Sequence, residues 1–126
     1  LGRRGVDEGA VAATRLIDRA RSGRLLQEEL QGGATSISNV GMFGATGLLP
    51  IINPGQSSIL GVGRSQPQFR PDEHLQPRLR QVLSLSLSCD HRVIDGAIAA
   101  RFLHAIQTRL EAPLSLLRAS LQGPTQ

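Results

Sequence analysis

The sequence predicts an α/β domain of two layers, a sheet with helices on one face, and three observations predict it. Apolar residues recur at helical spacing near the start, at Val11, Ala12, Leu16, Ile17 and Ala20. Leu83, Leu85 and Leu87 then alternate with Ser84, Ser86 and Ser88, the period-two pattern of a strand with one buried face. Helical spacing returns at Ile94, Ala97, Ile98, Phe102, Leu103, Ile106 and Leu110, one broad face suited to packing on a sheet. Helices before and after a run of strands give the two-layer arrangement. With 126 residues, 40% of them hydrophobic, the chain fits one small domain with a core of its own.

The first helix is expected from Asp7 to about Arg21, with acids at its start and Ser22-Gly23 as its stop. Leu25 to Leu30 continues as a short amphipathic turn, which Gln31-Gly32-Gly33 breaks. A first strand is expected over Thr35 to Val40. The glycine-punctuated segment from Gly41 runs into Leu48 to Pro54, where Pro50 and Pro54 forbid a central strand, so a structured loop is expected. Ser57 to Gly63 reads as a second strand whose glycines imply close backbone packing. Ser65 to Pro77, polar and proline-bearing, reads as an exposed hairpin connection, and Arg78 to Ser88 as the third and longest strand. The last helix follows Gly96 to about Leu110. Pro113 then allows a break, and Leu114, Leu116, Leu117 and Leu121 form a further apolar stripe.

Composition narrows the chemistry. The sequence has no apolar run of bilayer length, and Leu1-Gly2-Arg3-Arg4 leads into no signal-like stretch, so a soluble chain with no membrane partner is expected. Its one cysteine, Cys89, forms neither an internal disulfide nor a cysteine zinc site, which favours a reducing compartment. The net charge of +4 rests on fourteen arginines, but they are scattered and only three Phe are present for stacking, so nucleic acid is not the expected partner. The absence of lysine excludes Schiff-base chemistry, a Walker-A loop and a lysine-attached lipoyl or biotinyl arm on these residues.

The candidate reactive residue is His91, where the strand alternation stops at Cys89-Asp90, with Asp95 four residues on. A histidine at the end of a buried strand stands on a rigid support at a surface the chain must turn away from. His74 lies in the polar connection and His104 on the last helix, both ordinary settings for a structural histidine. Asp90 and Arg92 read as a structural ion pair or a partner contact, and Cys89 as a small packed residue.

S-C-D-H-R-V-I-D-G-A, from Ser88 to Ala97, resembles the active-site signature of the dihydrolipoamide acyltransferases, the E2 cores of 2-oxo acid dehydrogenase complexes. Q-G-G-A-T-S-I-S-N-V-G-M-F-G, from Gln31 to Gly44, is similar to that family's glycine-pair, strand and S-N-x-G-M-F-G segment. P-I-I-N-P-G-Q-S-S-I-L-G-V-G, from Pro50 to Gly63, is similar to the segment after it. The resemblance runs from about Leu16 to Pro113 and implies a chloramphenicol acetyltransferase-like fold. The family's catalytic domain is longer, so residues 1–126 correspond to its C-terminal portion, a partial domain without the lipoyl and subunit-binding modules.

The resemblance implies acyl transfer, acetyl in first place, between a dihydrolipoyl thiol and coenzyme A. His91 is then the base that takes the thiol proton, and Ser38 the donor that steadies the oxyanion, with Ser36 its nearest competitor. Asp95 holds the loop and orients its neighbours. Free imidazole has a pKa of roughly 6.5 and suits this proton transfer near neutrality. Coenzyme A enters as a substrate, and the lipoyl group rides on a separate domain. The family also implies a homotrimer with base and oxyanion donor from neighbouring chains, assembly into a hollow core, E1 and E3 components bound through the missing modules, and a bacterial cytoplasm or mitochondrial matrix. Branched-chain or acetoin-linked transfer, or a catalytically silent scaffold, are the competing expectations.

Overall fold

A computed structural model describes residues 5–26, 28 and 31–114. The chain divides into two compact units, residues 1–32 with 104–126, and residues 33–103.

In the first unit, α1 runs from Val6 to Arg21. Asp7 and Glu8 in its first turn and Arg19 and Arg21 in its last complement the helix dipole. It stops as expected: the Ser22 hydroxyl donates to Asp18 O at 2.9 Å, and Gly23 takes φ +67°, a conformation that favours glycine. Ala12 is its buried residue, whereas Val11 and Ile17 stay exposed. Of the turn expected over Leu25 to Leu30, residues 27, 29 and 30 lie outside the described residues, as do Leu116, Leu117 and Leu121 of the C-terminal stripe.

The second unit holds two sheets. The first has the order β1-β2-β5, with β1 Thr35–Asn39, β2 Ser58–Val62 and β5 Leu85–Cys89. β1 and β2 are parallel, β2 and β5 antiparallel. The central strand carries the core, with Ser58, Ile59 and Gly61 buried. Register sets Ser38, Gly61 and Ser86 in one row across the sheet. A Cβ on Gly61 would stand 2.5 Å from Ser86 Oγ and 2.7 Å from Leu48 Cδ2, so only glycine fits at the centre of that row.

The segment between the first two strands explains the serines of β5. A single 3-10 turn, Gly41–Phe43, leads into irregular backbone over residues 44–50 that is tied to β5. The Ser86 hydroxyl donates to Leu48 O and the Ser88 hydroxyl to Pro50 O at 2.6 Å. Pro50 is buried. The serine face of β5 is therefore covered, and every residue of the strand is half-buried, in place of one buried leucine face and one open serine face.

Two expectations need correction. Residues 65–77 are not merely a connection: they contain β3, Gln66–Pro71, which pairs antiparallel with β4, Pro77–Val82, as a separate two-stranded ribbon. The stretch expected as one strand from Arg78 to Ser88 is two, β4 and β5, in different sheets. At the break, Ser84 O accepts the Gly63 N–H at 2.9 Å, so the chain leaves the ribbon and joins β2 there. The ribbon's polar face carries Gln66, Gln68, Arg70, Arg78 and Arg80, and its other face Pro67, Phe69 and Leu79. Its turn is tied by Asp72, whose Oδ1 accepts from the His74 and Gln76 backbone at 2.9 Å and whose Oδ2 accepts from Arg78 Nε at 3.1 Å.

α2 runs from Gly96 to Glu111, as the periodicity predicts, although Ile98 and Phe102 on its apolar stripe stay nearly half exposed. No helix among the described residues is long and apolar enough to cross a membrane.

Candidate active site

The site is built where β5 ends. The strand ladder continues one residue past Cys89, because the Asp90 N–H donates to Ser57 O at 2.9 Å. The chain then turns over residues 91–93, and the Val93 and Ile94 N–H groups both return to Asp90 O at 3.0 Å. His91 is the first residue of this turn and is exposed to solvent. The rigid support expected at the end of a strand is therefore present.

Asp90 and Arg92 flank that histidine and bind each other within the chain. Asp90 Oδ1 accepts from the Arg92 backbone N–H at 3.0 Å and from Arg92 Nε at 2.9 Å, while Oδ2 accepts from Nη2 at 2.6 Å. The Arg92 guanidinium, followed by its backbone N–H, pulls the Asp90 carboxyl down to about 2. Of the two expectations for this pair, the intrachain ion pair is the one observed.

Asp95 is the residue immediately before α2. Its Oδ1 accepts the Ile98 N–H at 2.8 Å and its backbone carbonyl accepts the Ala99 N–H at 3.0 Å. This is a helix N-cap, a contribution of about 1 kcal/mol where aspartate is replaced by alanine. The same bonds fix the exit of the turn that begins at His91.

Ser38 lies on β1, half-buried, in the row it shares with Gly61 and Ser86. Ser36, two residues earlier, is differently placed: its hydroxyl donates to Gln56 Oε1 at 2.5 Å and accepts from Asn53 Nδ2 at 3.0 Å. Among the described residues the Ser38 hydroxyl makes no side-chain hydrogen bond of this kind. The sheet register keeps it from His91. The His91 end of β5 lies against Ser58 and Thr35, whereas Ser38 is three rows further along, on the far edge strand. That offset is about 10 Å along the strands and about 10 Å across them. One copy of the chain does not bring the two side chains together.

His74 sits in the ribbon turn, its side chain 79% exposed, and His104 is exposed on α2. Cys89 is a half-buried free thiol. No three His, Cys, Asp or Glu side chains gather as a metal site among the described residues.

Residues 2–118 match the family of 2-oxoacid dehydrogenase acyltransferases, over its catalytic domain. The chain belongs to that family. Among its curated relatives is the pyruvate dehydrogenase protein X component of mouse mitochondria, 42% identical over 117 residues, which are 90% of this chain and 23% of that protein. Another is the acetyltransferase component of the acetoin cleaving system of Bacillus subtilis, 46% identical over 101 residues, covering 79% of this chain and 25% of that protein. A solved structure of Azotobacter vinelandii dihydrolipoamide acetyltransferase superposes with a TM-score of 0.82 at 36% identity, covering 91% of this chain and 47% of that one. It comes from work on the roles of a serine, a histidine and, four positions after the histidine, an asparagine in that enzyme's catalytic mechanism. The cubic core of a pyruvate dehydrogenase multienzyme complex matches equally, with a TM-score of 0.82. The α/β acyltransferase fold is thus shared with solved catalytic cores. The chain spans about a quarter of the length of the curated relatives and about half of the solved chains.

What the sequence alone left open at this site was the use of its acids. The D-H-R triplet was the signal, since a carboxylate two residues from a guanidinium spans the residue between them. The bonding at Ser36 had no such signal: it depends on Asn53 and Gln56, brought back only by the turn at Pro54-Gly55.

Proposed function

We propose that this chain is part of an acyltransferase core that moves an acetyl group between a dihydrolipoyl thiol and coenzyme A. The observation that carries the reading is the family match over residues 2–118 together with a solvent-facing His91 at the end of β5. A free thiol is mostly protonated at neutral pH and is a poor nucleophile until deprotonated. His91 takes the proton from the coenzyme A thiol. The resulting thiolate attacks the carbonyl of the acetyl-dihydrolipoyl thioester, and the C–S bond to the lipoyl sulfur breaks as the tetrahedral intermediate collapses. His91 returns its proton to the departing thiolate, so atoms and charge balance without an acyl-enzyme. Ser38 donates its hydroxyl to the oxyanion in the intermediate. Asp95 supports the loop from its capping position.

The offset between His91 and Ser38 favours a site shared between chains, with the base from one copy and the hydroxyl from its neighbour in a homotrimer. Such trimers assembling into a larger core agree with the cubic core of the pyruvate dehydrogenase relative. The lipoyl group arrives on a separate domain, and E1 and E3 components are the remaining partners. A reducing aqueous compartment fits the single free thiol, a bacterial cytoplasm in first place and the mitochondrial matrix second. Acetyl is favoured as the acyl group because the relatives include acetyltransferase components of pyruvate and acetoin systems.

The test is thiol transfer from acetyl-CoA to free dihydrolipoamide. Turnover by the wild-type protein that disappears in His91→Ala supports the reading. Folded protein without turnover contradicts it and favours a silent scaffold.

A further inference from the structure

The geometry points to Asp90, with Arg92 as its counter-ion, as the pair that positions the His91 ring. This assignment rests on the acyl-transfer reading and adds to it a role that Asp95 was expected to fill.

Four observations carry it. First, the two partners lie on either side of His91 in sequence, so a bond between them closes a small loop around that residue. Asp90 Oδ1 accepts the Arg92 backbone N–H at 3.0 Å, which restricts the backbone torsions of His91 directly. Second, Asp90 is itself anchored to the sheet through its N–H on Ser57 O, and its carbonyl accepts two further N–H groups of the turn. The clamp is therefore fixed to β2 and does not drift with the loop. Third, the guanidinium meets both carboxylate oxygens, with Nε at 2.9 and 3.1 Å and Nη2 at 2.6 Å, the two-pronged geometry that fixes orientation as well as distance. Fourth, the other acid of the motif is occupied, since Asp95 Oδ1 holds the Ile98 N–H of α2.

An ordinary surface ion pair would contribute little, and Arg92 is 87% exposed. The Asp90 side chain, by contrast, is only 21% exposed. The difference from a decorative pair lies in what the bond encloses. A base that must meet a thiol within hydrogen-bond reach loses rate steeply when displaced, and a shift of about 1 Å costs on the order of a hundredfold.

The test uses Asp90→Asn, Arg92→Gln and Arg92→Lys in the full chain, with two readouts. Asp90→Asn keeps an acceptor for the Arg92 N–H and removes only the charged clamp. Steady-state acetyl transfer is expected to show kcat lowered about tenfold or more in Asp90→Asn and Arg92→Gln, with KM for both thiol substrates within about twofold. Arg92→Lys, which keeps the charge but not the fork, is expected between Arg92→Gln and wild type. The second readout is the Hα–Hβ coupling constants of His91 by NMR, expected to report one side-chain rotamer in wild type and averaging in the first two variants. Wild-type kcat in Asp90→Asn and Arg92→Gln, or lowered kcat with unchanged His91 couplings, overturns the assignment. If the wild-type protein itself turns over no substrate, the acyl-transfer reading falls. The couplings then decide the positioning role alone: averaged values uphold it and unchanged values overturn it.

Discussion

Gly61→Ala tests the packing that holds the Ser38 strand to the rest of the sheet. The added methyl carbon would lie 2.5 Å from Ser86 Oγ, 2.7 Å from Leu48 Cδ2 and 2.9 Å from Leu48 Cγ, well inside normal contact on two sides. The Ser86 rotamer is not free to swing away, because its hydroxyl is committed to Leu48 O. Leu48 in turn belongs to the segment that continues to Pro50 and its bond from Ser88. Relief therefore requires the covering segment to lift or the strands to part. Overpacking of this kind costs about 1–3 kcal/mol. For a chain of this size that is a fall in melting midpoint of about 4–12 °C. Thermal unfolding followed by circular dichroism measures it directly. A double-mutant cycle with Ser86→Ala locates the clash: the double variant should lose less than the sum of the two singles, by at least about 0.5 kcal/mol. A midpoint within about 1 °C of wild type for Gly61→Ala, or strict additivity with Ser86→Ala, would refute the register in which Ser38, Gly61 and Ser86 share a row.

Three further outcomes follow from the same geometry. Ser38→Ala should lower kcat for acetyl transfer by about 10²–10³, the loss of one oxyanion donor, with little change in melting midpoint; Ser36→Ala, whose hydroxyl bonds Gln56 and Asn53, should do the reverse. Asp95→Ala should lower stability by about 1 kcal/mol through loss of the α2 cap, whereas Asp95→Asn, which still presents an oxygen to the Ile98 N–H, should recover most of it; equal losses in both variants would contradict the capping role. The Asp90 carboxyl, ordinarily near 3.8, is held at about 2 by Arg92, so its contribution to the turn is complete above the ordinary value and disappears only as pH falls through about 2. Its carboxyl carbon shift in NMR should titrate with that low midpoint, and Arg92→Gln should move the midpoint back up.

Much of the fold was legible because its periodic segments are long or cleanly bounded. Both helices, β1 and β2 fall within a residue or two of their expected ends, since glycines and capping residues mark them. The ribbon was hidden because three prolines and a run of charged and amide residues erase the apolar alternation that announces a strand, and a solvent-exposed hairpin needs no such alternation. The opposite error joined β4 to β5: Leu83 keeps the alternation in phase through a break that only the Gly63 bond to Ser84 reveals. At the site, the placement of His91 just past the end of β5 was readable from the point where the alternation stops, whereas the division of labour between Asp90 and Asp95 was not. Both are acids within four residues of one histidine, and only the hydrogen bonds distinguish a clamp on the turn from a cap on the helix.

Acyl transfer as proposed needs a site to which one chain gives His91 and its neighbour gives Ser38. Mixing His91→Ala and Ser38→Ala chains, each impaired alone, unfolding and reassembling them together, and assaying acetyl transfer tests this sharing. Random mixing pairs an intact histidine with a neighbour's intact serine at about a quarter of the interfaces, so activity should return to about a quarter of that of wild-type protein treated alike. Activity no higher than that of the two variants reassembled apart would rule out a site shared between neighbouring chains.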